Sequence, residues 1–282
     1  MVRRTVLFSP GDQPDLLRKA PTAGADVVVF DLEDAVAPSA KSTARDHVAE
    51  AVSSLDPDCE LCVRLNPLDS CGREDLSALA SVLSSVDSVM LPKVSSRADV
   101  EALADAITDH GESLPVLALL ETAAGVLAAP EVAAAEATDA LLLGAEDLSA
   151  DVGLNRSTEG TEILYAREHV VLAASSQDID AIDTLYTDFE DTDGLATDTQ
   201  RAIDLGFDGK MAIHPTQVST INDAFTPDRE RIEWAHEVIE AKQQAKAEGR
   251  GVFAVDGEMI DAPLVAQAED IVQRAEAAGI LE

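Results

Sequence analysis

Aromatic side chains are nearly missing from this chain: they make up 3% of its 282 residues, with one Trp and two Tyr. A core must therefore be packed from Ala, Val, Leu and Ile, and a hydrophobic content of 46% supplies enough of them. Cations are scarce too, 20 Lys and Arg against 54 Asp and Glu, and only six of the 20 are Lys. The formal charge of −34 excludes nucleic acid and anionic membrane as partners, because both need a basic surface. The three cysteines, Cys59, Cys62 and Cys71, make no disulfide framework, and the Cys59–Cys62 pair lacks the second CxxC of a zinc site. They read as reduced and structural. No run approaches the roughly 20 apolar residues of a membrane span. The opening MVRRTVLFSPGD breaks at Pro10 and Gly11, too early for a secretory signal, so a cytoplasmic protein is expected.

The acids are dispersed among periodic segments and not gathered in a tail, so the chain is expected to fold. Dispersed acid with little Lys is the composition of a halophile, in which salt screens the repulsion between surface carboxylates. Lowering the salt from molar KCl to dilute buffer should then lower the melting temperature and separate subunits. A melting curve unchanged across that range would contradict the halophilic reading.

Apolar runs and helical patterns alternate along the sequence. Eight strands are expected, near Thr5–Phe8, Asp26–Phe30, Leu61–Leu65, Ser88–Leu91, Val116–Leu120, Ala140–Leu143, Ala181–Leu185 and Lys210–Ile213. Eight βα units predict an α/β fold, a (β/α)8 TIM barrel. No glycine fingerprint for a dinucleotide follows the first strand. Two strands stand out. DALLLGAED runs four apolar residues into Gly144 and Ala145 and stops at Glu146 and Asp147, and LPVLALLET ends on Glu121. Uninterrupted apolar runs suit strands covered on both faces, which puts both carboxylates at the C-terminal rim, where barrel enzymes keep their chemistry. Carboxylates gathered there bind a cation, share a proton or meet a base. Other polar strand ends are Ser9 and Asp12, Asp31, Glu33 and Asp34, Arg64 and Asn66, Lys93, Asp183 and His214.

Beyond the eighth strand, Pro227–Gly249 reads as a long helix, and a tail follows with a hairpin around Asp256-Gly257 and a last amphipathic helix. The division expected is a catalytic barrel over residues 1–249 and a C-terminal lid extension over 250–282. The lid is too apolar to dangle and is expected to pack on a neighbouring subunit.

SPGDQPDLLRKA, VVVFDLEDAVAP, VRLNP, VMLPKV, LLETAAGVL, LLLGAEDLSADVG, GFDGKMAIHP and DGEMIDAP occur in that order over nearly the whole chain. In this the sequence resembles the CitE-like, HpcH/HpaI-type lyases: citrate lyase beta subunit, malyl-CoA lyase and citramalyl-CoA lyase. The resemblance implies Mg2+, with Mn2+ as a substitute, and carbon–carbon cleavage of a 3-hydroxyacyl-CoA thioester. By position, Glu121 and Asp147 match the metal ligands, with Glu33 and Asp34 holding metal waters. Arg64 matches the arginine facing the 2-oxo acid, Asp261 the catalytic acid/base, and Pro92, Gly144 and Ala145 the substrate wall. Lys19, with Arg3, Arg4 and Arg18 near it in sequence, is the best cation for CoA phosphates. The expected substrate is malyl-CoA or β-methylmalyl-CoA, in a haloarchaeal setting, acted on by a homotrimer or homohexamer. Citramalyl-CoA lyase, citrate lyase beta subunit and malyl-CoA thioesterase are the competing readings.

Overall fold

The computed structural model describes residues 2–247 and 252–281, so the expected boundary at 249/250 lies outside the described residues. Two compact units divide at Asn222/Asp223. In the first, eight parallel strands close in sequence order: β1 (Thr5–Pro10), β2 (Val27–Asp31), β3 (Glu60–Arg64), β4 (Ser88–Leu91), β5 (Val116–Leu120), β6 (Thr138–Leu143), β7 (Asp180–Asp183) and β8 (Gly209–Ala212). The fold is the TIM barrel that the alternation predicts. β1 closes on β8 through three pairs, Thr5–Lys210, Val6–Met211 and Leu7–Ala212. A Cβ on Gly209 would stand 1.8 Å from the Arg3 carbonyl oxygen, so this seam admits only glycine.

The barrel is filled without a ring of aromatics. Val6, Val27, Val29, Cys62, Met90, Leu117, Leu119, Ala140, Leu142, Ile182 and Met211 form one buried cluster, with Phe8 and Leu185 packed on it. Full burial of each Val, Leu, Ile or Met contributes about 1.5–3 kcal/mol, so aliphatic side chains suffice here. Burial pushes the Cys62 thiol pKa up, in keeping with a structural role. At the N-terminal end, Arg3 is buried and bonds Glu60 at 2.7 Å, Asp180 at 2.9 Å and Asp139 at 2.5 Å. Glu60 also accepts from Ser88 Oγ at 2.6 Å. One cation thus ties together the entries of strands β3, β6 and β7.

Helices α1 (Pro14–Lys19), α2 (Lys41–Ser54), α3 (Gly72–Leu79), α4 (Arg97–Thr108), α5 (Ala123–Leu127), α6 (Ala129–Ala133), α7 (Ala145–Val152), α8 (Leu164–Ser175), α9 (Thr192–Leu205) and α10 (Pro215–Phe225) follow the strands. Two short helices, not one, stand between β5 and β6, because Pro130 is favoured in a first helical turn and there starts α6. Helix α10 was not anticipated. Outside the barrel wall, Arg167 of α8 and Lys210 of β8 share Asp183 and Asp198 at 2.7–3.1 Å. An isolated buried ion costs several kcal/mol, so this set survives only as a whole.

The second unit carries α11 (Arg229–Ala247), the strands β9 (Phe253–Val255) and β10 (Glu258–Ile260), and α12 (Ala262–Ala277). Ile232, Ala235 and Val238 of α11 meet Val265, Ala268, Ile271 and Ala275 of α12 at helical spacing, with Val255 and Ile260 in the same cluster. The β9–β10 turn is the expected Asp256-Gly257. Both residues are left-handed, φ 48 and 85, as a two-residue hairpin loop requires. Among the described residues no helix is long and apolar enough to cross a membrane.

Candidate active site

Strand parity decides which rim residues face inward. Side chains alternate along a strand, so the residue two beyond an interior one is interior too. Applied to the core cluster, this selects Asp31 after Val29, Arg64 after Cys62, Glu121 after Leu119, Gly144 after Leu142, Thr184 after Ile182 and Ile213 after Met211. All six line a cavity of about 150 Å³, with Phe8, Ala145 and Asp147 also in its wall, whereas Pro92, which the same count selects after Met90, does not. A larger cleft of about 540 Å³ opens beside α4 and the entries of β5 and β6, lined by Arg97, Glu101, Asp105, Leu114 and Asp139 among others. It lies at the end of the barrel that carries stability and not chemistry, so volume alone does not mark the site.

Glu121 is 2% exposed, and its Oε1 accepts the Lys93 backbone N–H at 2.8 Å. A Cβ on Gly144 would stand 2.6 Å from Glu121 Cβ and 2.7 Å from Oε2. Gly144 is therefore required by close approach, a packing constraint beyond the substrate-wall role expected of it. Asp147 is not at a strand end: β6 stops at Leu143, and Asp147 sits with Glu146 in the first turn of α7, where the helix dipole favours negative charge. Burial, and then the Asp147 carboxylate, push Glu121 up to about 8. Two acids under this mutual repulsion fit a hard cation that would neutralise them. Among the described residues no group of three or more His, Cys, Asp or Glu forms a cage. Mg2+ commonly takes one or two carboxylates and completes its shell with water and ligand, so the pair suits it.

Arg64 pairs first with Asp31 and, more loosely, with Glu33. Its Nε and Nη2 grip both oxygens of Asp31, at 2.7 and 2.5 Å. Glu33 Oε2 stands 3.4 Å from Nη1, and the guanidinium lies 4.9 Å over the Phe8 ring. Parity explains the choice, since Asp31 and Arg64 are inward-facing register partners on adjacent strands. Glu33 is instead bonded by Lys93 Nζ, with Asp34 at 3.4 Å from the same nitrogen. Burial alone would lower the Lys93 pKa, but Glu33 outweighs it and raises it. Lys93 is thus an ammonium at neutral pH, unsuited to Schiff-base chemistry.

Of the other expected residues, Ala145 joins the cavity wall and the rest scatter. Ala145 N–H points at Thr184 Oγ1, 3.2 Å away. Pro92 is buried after β4 but is not part of the cavity wall. The basic group around Lys19 does not assemble: Arg3 is locked in the N-terminal ion cluster, Arg4 in a 2.8 Å pair with Asp26, and Arg18 in a 2.6 Å pair with Asp15. Lys19 ends α1 alone and exposed. Asp261, in the second unit, is the N-cap of α12, its Oδ1 accepting Leu264 N–H at 3.2 Å. His214 is half-buried, 2.7 Å from Thr216 Oγ1 and stacked on Phe189. Asp31 and Thr184 were missed as site residues, although inward parity counted from the apolar strand residues would have found both.

The HpcH/HpaI aldolase/citrate lyase family model matches residues 4–215. The chain is 38% identical to the citrate lyase subunit beta of Leuconostoc mesenteroides subsp. cremoris over 98% of its own length and 94% of the relative's. It is 35% identical to the mitochondrial citramalyl-CoA lyase of Mus musculus, covering 96% and 85%, and 36% identical to the (3S)-malyl-CoA thioesterase of Cereibacter sphaeroides, covering 97% and 95%. Its fold superposes on CitE from Mycobacterium tuberculosis, solved with magnesium, acetoacetate and coenzyme A, at a TM-score of 0.81 and 36% identity over 98% of both chains. Identity spread over nearly full length, on the same closed barrel, assigns this chain to the HpcH/HpaI aldolase/citrate lyase family.

Proposed function

We propose that the chain is a carbon–carbon lyase, dependent on Mg2+ or Mn2+, that reversibly cleaves a 3-hydroxyacyl-CoA. The substrate proposed is malyl-CoA or β-methylmalyl-CoA, giving acetyl-CoA or propionyl-CoA plus glyoxylate. The observation that carries this reading is the facing of Glu121 and Asp147 by the single guanidinium of the cavity wall, Arg64.

Glu121 and Asp147 would hold the cation. When bound, it draws electron density from the carboxylate and carbonyl oxygens of the 2-oxo acid. Cleavage removes the 3-hydroxyl proton, breaks the C2–C3 bond and leaves its electron pair on the thioester enolate; a proton returned to C2 completes acyl-CoA. Arg64 donates to the oxygens on which charge develops, a role suited to a fixed guanidinium. Glu33 and Asp34 hold water at the rim. Asp261, exposed and tied by one long bond, moves the proton, reaching from the C-terminal lid of a neighbouring copy in a homotrimer or homohexamer. Lys19 meets a CoA phosphate. The protein works in the cytoplasm at high salt.

A thioesterase reading is favoured by the Cereibacter sphaeroides relative, and it differs in its products. The test is to incubate purified protein, Mg2+ and molar KCl with malyl-CoA and to measure free thiol and oxo acid together. Glyoxylate with intact acetyl-CoA is the expected result. Free CoA with malate and no glyoxylate overturns the lyase. Pyruvate from citramalyl-CoA, without glyoxylate from malyl-CoA, keeps the chemistry and moves the substrate.

A further inference from the structure

We infer that Asp31 is a positioning residue that fixes Arg64 so that the outer edge of the guanidinium, Nη1 with the second Nη2 hydrogen, is left for the substrate. The inference rests on the lyase reading only for what Arg64 then does. Asp31 is wholly buried, and its two oxygens take four donors: Arg64 Nε at 2.7 Å, Arg64 Nη2 at 2.5 Å, Glu33 N at 2.8 Å and Ala35 N at 3.2 Å. A carboxylate so saturated has no free lone pair for substrate or cation, and this separates it from Glu121 and Asp147. The bidentate fork removes the rotational freedom of the guanidinium, which a single contact would leave.

What remains of Arg64 follows by elimination. Phe8 stacks on one face of the guanidinium, and Nε–H and one of the two Nη2 hydrogens are taken. Nη1 faces Glu33, but at 3.4 Å, beyond the usual range of a charge-assisted hydrogen bond. Glu33 is drawn off by Lys93, whose ammonium bonds its other oxygen. The chain Lys93–Glu33···Arg64–Asp31 thus holds the guanidinium from both sides and consumes only one of them. Asp31 also accepts from the backbone of the loop that carries Glu33 and Asp34, so the same side chain sets both the donor and the acids beside it.

The test combines an exchange measurement with a double-mutant cycle. In the wild-type protein, 15N NMR should show the Arg64 Nε–H, assigned by its loss in Arg64→Lys, as slowly exchanging. In Asp31→Asn it should exchange at least about tenfold faster, since a buried charge-assisted bond has been weakened. Asp31→Asn should lower kcat/KM about a hundredfold, the effect of misplacing a catalytic group by a fraction of its own size. In the Arg64→Ala background the same change should cost less than about threefold, because positioning has no meaning once its object is gone. An equal factor in both backgrounds, or a fast-exchanging Arg64 Nε–H in the wild type, overturns the inference. Should the protein lack lyase activity on every substrate tried, the exchange measurement alone decides for or against Asp31, and the failure belongs to the proposed function.

Discussion

Asp147→Ala should leave a folded protein whose cleavage rate falls about a thousandfold, the scale on which charge stabilisation at a reacting oxygen operates. The variant should match the wild type in EDTA. Asp147 is half-buried on the first turn of α7 and supports no strand pairing, so its removal takes away charge and little packing. Glu121→Gln is the companion variant. It keeps the shape that nests against Gly144 and the acceptor for Lys93 N–H, while discarding the negative charge. Circular dichroism and melting should therefore stay close to the wild type in both, and Mg2+ binding by calorimetry should be lost. Full activity of the wild type in EDTA would sink the metal assignment.

Arg64→Ala and Asp261→Ala should each lower activity about a hundredfold to a thousandfold, and a mixture of the two should regain activity. If the lid serves a neighbouring barrel, random reassembly pairs an intact Arg64 with an intact Asp261 in about a quarter of sites. Mixing must pass through low salt or mild denaturant so that subunits exchange. Sedimentation would show the assembly re-formed, and recovery of roughly that quarter would support the shared site. No recovery from a mixture shown to have exchanged subunits, or a monomer at working salt, would count against it.

The barrel was legible because its strands are uninterrupted apolar runs: β4 and β5 have the expected bounds, and the other six shift by one or two residues at one or both ends. Glu121 was legible for the same reason, as the first acid after such a run. Asp147 was legible as chemistry but not as geometry, since Gly144 and Ala145 gave no sign that a helix begins at Ala145. Helix α10 was hidden although Pro215 is its first residue, a favourable place for proline. Asp31 as the partner of Arg64 was not legible, because three acids, Asp31, Glu33 and Asp34, stand within four residues of one another. Only the inward register of β2 on β3 selects among them. The scatter of Arg3, Arg4 and Lys19 shows the opposite limit: neighbours in sequence were parted by the strand between them.

The backbone seam at Gly209 bears on synthesis. Of the eight barrel strands β1 leaves the ribosome first, and its partner β8 comes some two hundred residues later. Until then, one edge of the growing sheet offers unpaired amides and carbonyls, the kind of edge that templates association with another copy. Pairings that span such separations form slowly. Arg3, whose carbonyl abuts the seam and whose side chain needs acids from β3, β6 and β7, keeps its charge solvated until most of the barrel exists. A nascent chain halted before Gly209 is thus a partial barrel that cannot close, and its exposed β1 edge is where aggregation during translation would begin.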